Sequence, residues 1–301
     1  MNRTAHPLRV TAAVALSLAT MLTAACGDAR TSGASSPPDG AGLDQSLHHL
    51  LPASVRARGV LVVGTDASYA PMSSFAPDGR TIVGVEPDLG SELGRVLGVK
   101  VRFVNNSFTT LLPRVADGRL DLAMSAITDT SAREKQDDFV NYFSAGTSIV
   151  VQRGNPSGVT DIQDLCGKVV AVEKGTTQVD LLARSQGNCV GRRMVVRTFA
   201  TNSDALLRLR TGRAAAVLND LPPAALLAND PGTKSDYQLA STTQYEPGLY
   251  GVAVAKNRAG LRDAVHGAFE KLLHNGGYLR VLQRWSVANG AVVRISVNSD
   301  R

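Results

Sequence analysis

Along this chain of 301 residues, short apolar runs alternate with longer segments that mix apolar and charged positions. Runs over 60–63, 100–104, 120–124, 169–172, 193–196 and 214–218 have the length and composition of buried strands. Candidate helices lie between them. That order predicts βαβ units, mostly parallel sheets and an α/β fold. Gly64, Gly98, Gly118, Gly175 and Gly212 punctuate the runs where turns are needed. Gly90, Gly94 and Gly98 recur every four residues. Their charged neighbours exclude a membrane helix, and close packing of a helix explains the spacing. Apolar residues at helical spacing over 264–273, and again over 278–285 with the single tryptophan, predict two packing helices near the C-terminus. There is no internal repeat.

The N-terminus has a different pattern. Arg3, His6 and Arg9 flank or precede a short apolar run over 10–21, and Thr23, Ala24 and Ala25 lead into Cys26. This predicts a secretory signal peptide over 1–25, too short in its apolar part for a comfortable membrane span. The sequence LTAAC resembles a lipobox, although Thr23 is a less common residue at its place. The resemblance implies that Cys26 receives a diacylglycerol and becomes the first mature residue. Of the three cysteines, Cys166 and Cys189 are expected to pair in an oxidising compartment, so an unlipidated Cys26 would be an odd exposed thiol. Several acyl chains anchor a protein stably where one is marginal. The following GDARTSGASSPPDGAG is too poor in apolar residues to fold, and a flexible tether is expected over 26–54. His48 and His49 are read there as solvent-facing rather than metal-bound.

Net charge is +6, partly from the leader. Lys and Arg are scattered among acids without a basic stripe, which with a secreted location argues against nucleic acid. The remainder, about 245 residues, suffices for two small α/β lobes.

The stretch DLAMSAITDTSAR, over 121–133, carries the most chemical information. An apolar strand breaks into Ser125, Thr128, Thr130 and Ser131, whose hydroxyls and amides can face a polar ligand. It ends at Arg133, where Thr130 or Ser131 is expected to cap a helix. A guanidinium at such a corner can grip a carboxylate through two parallel hydrogen bonds. The other reading is a surface arginine beside Glu134 and Asp137.

This segment resembles the carboxylate-binding corner of the family 3 extracellular solute-binding proteins, the polar-amino-acid receptors of ABC importers. The likeness continues in GVLVVGTDASYAPMSSF, GVEPDLGSELGRVLG, NNSFTTLLPRVADGRLDLAMSAI, GKVVAVEKGTTQ and GRAAAVLND, in the family's order, over roughly residues 55 to 290. One departure is Val85 and Pro87, where the family usually has large apolar residues. Pro87 suits the first turn of a helix, where its missing N–H costs nothing. The resemblance implies a two-lobed periplasmic-binding-protein-like fold of type II, with two mixed, mostly parallel sheets joined by two crossover strands. Lobe 1 would comprise 55–147 and a return over 251–301, lobe 2 would comprise 148–250, and the crossings would lie near 143–150 and 249–254.

The same resemblance implies a site. Arg133 would bind an α-carboxylate, helped by Thr128 and the backbone at Ala126. Thr176 and Thr177 would add hydroxyls and helix N-terminal amides from lobe 2. Asp220 would take the α-ammonium, and Tyr69 and Phe108 would sandwich the side-chain stem. Asp66 corresponds to a position that faces the distal group in basic-amino-acid and glutamine receptors. Plainer readings are an N-cap for Thr176, a turn for Asp220 and core packing for Phe108. Against a turn, Asp220 follows an apolar run and so falls at the carboxyl edge of a strand, where α/β ligands bind. Glu173 also precedes the ligand loop and, beside Lys174, is read as pointing to solvent.

No Ser–His–Asp order, HExxH, catalytic carboxylate pair or P-loop is found. The reading is therefore a monomeric, lipid-anchored receptor on the extracytoplasmic face of the membrane. It would deliver a polar amino acid, basic or glutamine, to an ABC permease, without a cofactor or metal. The alternatives are a cyclohexadienyl-dehydratase-like enzyme on the same fold and a sensory amino-acid receptor. A prephenate-type substrate has no ammonium for Asp220, which disfavours the first.

Overall fold

A computed structural model describes residues 42–298. The signal segment, Cys26 and the tether up to residue 41 lie outside the described residues.

Ten strands of the described chain form one curled sheet. In one lobe, Val60–Thr65 pairs in parallel with Lys100–Asn105 on one side and Leu122–Ala123 on the other. In the other lobe, Val169–Glu173 pairs in parallel with Ala216–Asp220 and Val195–Phe199. These are the expected runs, with boundaries shifted by up to three residues. Two long antiparallel strands, Asp137–Gln152 and Tyr245–Ala255, run from one lobe into the other and join the two halves. The crossings therefore fall on 137–152 and 245–255, and the two expected sheets are continuous through them.

Each lobe has its own apolar core. The first buries Leu89, Val96, Phe269, Tyr278 and Leu282, so the C-terminal helices Ala259–His274 and Gly277–Arg284 pack on the N-terminal half. Tyr142 stacks on Phe269 at 5.7 Å, and the indole N–H of Trp285 donates to Asp88 at 2.9 Å. Both helices are packing elements, as their spacing predicts. The second lobe buries Val170, Val172, Leu182 and Leu218 on one face of its sheet and Val150, Ala171 and Val217 on the other. Cys166 and Cys189 are joined by a disulfide across 23 residues of this lobe.

Helix Val85–Leu97 accepts Pro87 in its first turn. A Cβ at Gly90 would stand 2.5 Å from the Phe103 ring, and one at Gly94 would stand 2.7 Å from the Val99 carbonyl. The glycine spacing thus serves close approach of this helix to the Lys100–Asn105 strand.

The folded chain begins earlier than the residue-55 boundary expected from composition. Helix Gln45–Leu50 is capped by Asp44, whose N–H donates to the Val96 carbonyl at 2.8 Å. The His48 ring bonds the Leu97 carbonyl at 2.8 Å, Asp44 pairs with Lys271, and Leu51 is buried. A six-residue helix is not stable alone, and tertiary contacts hold this one in place. Residues 44–54 are therefore part of the folded body rather than tether, and His48 is partly buried rather than solvent-facing.

Candidate functional site

In a parallel sheet the carboxyl ends of the strands share one edge, and backbone and side chains there face a common crevice. In both lobes this edge looks into the same cleft. Asp66 follows Val60–Thr65, and Phe108 follows Lys100–Asn105. Ser125, Ala126 and Thr128 follow Leu122–Ala123, while Glu173 and Asp220 end their own strands. Together with Tyr69, Arg133, Thr176, Thr177 and Gln178 they border about 330 Å³ of space between the lobes. All nine ligand-binding positions expected from the sequence line it.

The lobes are held shut by hydrogen bonds across the cleft. The Tyr69 hydroxyl donates to Asp220 Oδ2 at 3.1 Å and accepts from the Asp220 N–H at 2.9 Å. Arg133 Nη2 donates across the cleft to the Gly175 carbonyl at 3.0 Å, while Nη1 donates within its own lobe to the Thr128 carbonyl at 2.7 Å. The Thr128 and Thr177 hydroxyls meet at 3.5 Å, and the Asn202 N–H reaches Ser68 Oγ at 3.2 Å.

Arg133 lies over the Phe108 ring, 5.6 Å from its centroid. Phe108 therefore lines the cleft rather than serving only as core. Arg133 does not open a helix. It begins a short 3-10 turn, Arg133–Lys135, whose first N–H bonds Thr130 Oγ1 at 3.3 Å. The next stretch is drawn straight into the long Asp137–Gln152 strand, which leaves no room for a longer helix. Burial lowers the Arg133 pKa, opposed by the charges of Asp180, Asp220 and Asp129.

Asp220 is 5% exposed, with Gln178 Nε2 donating to Oδ1 at 2.6 Å. Burial pushes its pKa up to about 6, against the hydrogen bonds of Tyr69 and Gln178 and the Arg133 charge. It caps helix Leu221–Asn229 by position, but its side chain makes no cap bond and points to the cleft groups instead.

Two expectations need correction. The Ala126 amide does not face the cleft: it donates to Glu86 Oε1 at 2.6 Å, with Ala126 in a left-handed conformation at φ 47°. Glu86 is fully buried and also accepts from Ser73 Oγ and the Tyr142 hydroxyl, both at 2.5 Å. Glu173, read as solvent-facing, is 6% exposed and borders the cleft opposite Asp66. Burial, the Asp66 charge and a hydrogen bond to Asp66 push the Glu173 pKa up to about 9. Its Oε1 has no hydrogen-bond partner. The signal that finds Glu173 is the one that finds Asp220: both end an apolar strand at the cleft edge.

Asp66 is fixed by its own lobe. Its Oδ1 accepts from Ser68 N at 3.0 Å and its Oδ2 from Phe108 N at 3.2 Å, while its own N–H donates to Ser125 Oγ at 2.9 Å. Thr176 occupies the N-cap of helix Thr177–Ser185 without a side-chain cap bond, its hydroxyl donating to the Glu173 carbonyl at 2.8 Å. Thr176, Thr177 and Gln178, at the N-terminus of that helix, line the cleft together with Arg133, and a helix N-terminus is a favourable place for an anion.

Known proteins share this architecture. The arginine-binding protein ArgT of Corynebacterium glutamicum is 27% identical over 257 residues, covering 84% of this chain and 82% of its own length. The L-cystine-binding protein TcyJ of Escherichia coli is 29% identical, covering 77% of this chain and 84% of its own. Among solved structures, a P235GK mutant of ArgBP from T. maritima superimposes with a TM-score of 0.70 at 32% identity, covering 77% of this chain and 97% of that one. The sequence profile of the bacterial extracellular solute-binding proteins, family 3, matches residues 61–288. The chain belongs to that family.

Proposed function

We propose that this protein is a lipid-anchored receptor that binds a polar amino acid between its lobes and presents it to an ABC permease. The observation that carries the reading is the position of Arg133 and Asp220 on opposite sides of one small space, with a guanidinium from one lobe and a carboxylate from the other. A zwitterion satisfies both. Its α-carboxylate takes over the Arg133 donors with the N-terminal amides of helix Thr177–Ser185, and its α-ammonium binds Asp220. Each buried charge then has a partner, without which several kcal/mol or so would be lost.

Asp66 at the far end favours a side chain that donates hydrogen bonds, so basic amino acids and glutamine are expected ahead of glutamate. Curated relatives named for arginine and cystine fit a polar amino acid. Cys26 would carry the anchor, and the crossing strands would act as the hinge of closure.

A thermal-shift panel of the twenty amino acids with ornithine and citrulline tests this, since a ligand bound only by the native state raises its stability. A basic amino acid or glutamine should give the largest shift. A flat panel, or glutamate as the best ligand, would reject the assignment. Lipidation is tested separately, by the mass of the N-terminal peptide from membrane-extracted protein.

A further inference from the structure

The receptor reading leaves Glu173 without a role. It is a buried residue, 6% exposed, on the opposite lobe from Asp66, with one carboxylate oxygen lacking any partner. Burying two facing carboxylates is unfavourable unless a cation or proton lies between them.

Donor and acceptor counts say which cation suits. A carboxylate offers roughly four acceptor sites, and Asp66 already spends two on the N–H groups of Ser68 and Phe108. A ligand ammonium has about three donors, whereas a guanidinium has about five in a rigid plane. Asp66 alone cannot satisfy the guanidinium. Glu173, approaching from the other lobe, supplies the missing acceptors. Of the residues around the cleft space, Asp66, Glu173 and Asp220 are carboxylates, and Arg133 is the single cation among those described. Lys174, next to Glu173, is exposed and lies outside this set.

We infer that Glu173 and Asp66 form a two-lobe carboxylate clamp for a guanidinium side chain, which makes Glu173 a determinant of specificity for arginine over lysine, ornithine and glutamine. This rests on the amino-acid-receptor reading and extends it. Because the two carboxylates belong to different lobes, the clamp also couples recognition of the side chain to closure. A guanidinium draws Glu173 and Asp66 together, whereas an amide or a shorter ammonium leaves one of them under-satisfied.

Calorimetric titrations of L-arginine, L-lysine and L-glutamine into wild-type protein and the isosteric Glu173→Gln variant test the clamp. Wild type should bind arginine tightest. Glu173→Gln should weaken arginine at least tenfold while changing glutamine less than about threefold, so that the ratio of the two affinities falls. Retained glutamine binding shows that the variant is folded, and a general packing role would move all three ligands alike. Lysine binding as tightly as arginine to wild type, or an unchanged arginine-to-glutamine ratio in the variant, would overturn the clamp and leave the receptor reading standing. Absence of binding by all three ligands to wild type would overturn both.

Discussion

Tyr69 and Asp220 exchange two hydrogen bonds across the cleft, the phenol donating to the carboxylate and accepting from the backbone N–H of the same residue. One side chain thereby fixes both the rotamer and the backbone of the residue assigned to the α-ammonium. Burial and the Asp220 charge raise the Tyr69 pKa well above its usual value, so the phenol keeps its proton throughout the physiological range.

Removing only that hydroxyl separates its effect from ring packing. Tyr69→Phe should weaken amino-acid binding by about 1–3 kcal/mol, or roughly fivefold to a hundredfold, through an unsatisfied Asp220 and a looser closed form. Calorimetry gives the affinity, and solution scattering with saturating ligand should show a less compact particle than wild type at equal occupancy.

Arg133→Ala and Asp220→Ala should each abolish measurable binding while leaving both lobes folded. Either change leaves one charge of a bound zwitterion buried alone, at a cost of about 3–5 kcal/mol. Near wild-type affinity in both variants would mean that the cleft is not the binding site.

Arginine affinity should rise with pH. Without a cation, Glu173 holds its proton up to about pH 9, because of burial and of Asp66 facing it. A guanidinium between the two carboxylates favours the ionised form, so binding releases a proton, and affinity climbs by at most about tenfold per pH unit below pH 9. The other titratable groups facing this space are Tyr69, Asp220 and Arg133. Titrations between about pH 7.5 and 8.5, where Asp220 with its pKa of about 6 is already ionised, in buffers of different ionisation heat measure the released proton, and Glu173→Gln should eliminate it.

Asp137 gives an independent test of stability. It is fully buried, neither carboxylate oxygen has a hydrogen-bond partner, and burial raises its pKa to about 6. A raised folded pKa means stability that is present below the unfolded value and lost as pH rises through about 6. Asp137→Asn should therefore raise the melting temperature at pH 8 and do little at about pH 4. Equal shifts at both would show that ionisation is not the cause.

Much of this molecule is legible in its sequence because the strands are apolar runs bounded by turn residues, and each run ends where its site residue begins. Asp220 was readable on that ground. Glu173 satisfies the same rule: strand alternation sets it on the opposite side from its exposed neighbour Lys174, so the charge beside it says nothing of where Glu173 points. The direction of the Ala126 amide was not readable, since its acceptor, Glu86, lies 40 residues away in sequence. Helix Gln45–Leu50 was hidden for a related reason. Its local composition is that of a linker, and its stability comes from Val96, Leu97 and Lys271, which only the tertiary fold brings near.

The long strands that join the lobes also order the assembly of the chain. Strands Val169–Glu173 through Ala216–Asp220 form a contiguous insert, whereas the core of the other lobe needs Phe269, Tyr278 and Leu282 from the far end. Strand Ser296–Val297 then pairs with Asp137–Gln152, more than a hundred residues back. Contacts of such long range form late, after their loop-closure entropy has been overcome. As the chain emerges N-terminus first, the inserted lobe can complete its core while the first lobe waits with an open hydrophobic face. The lobe that is made first is the last to be finished.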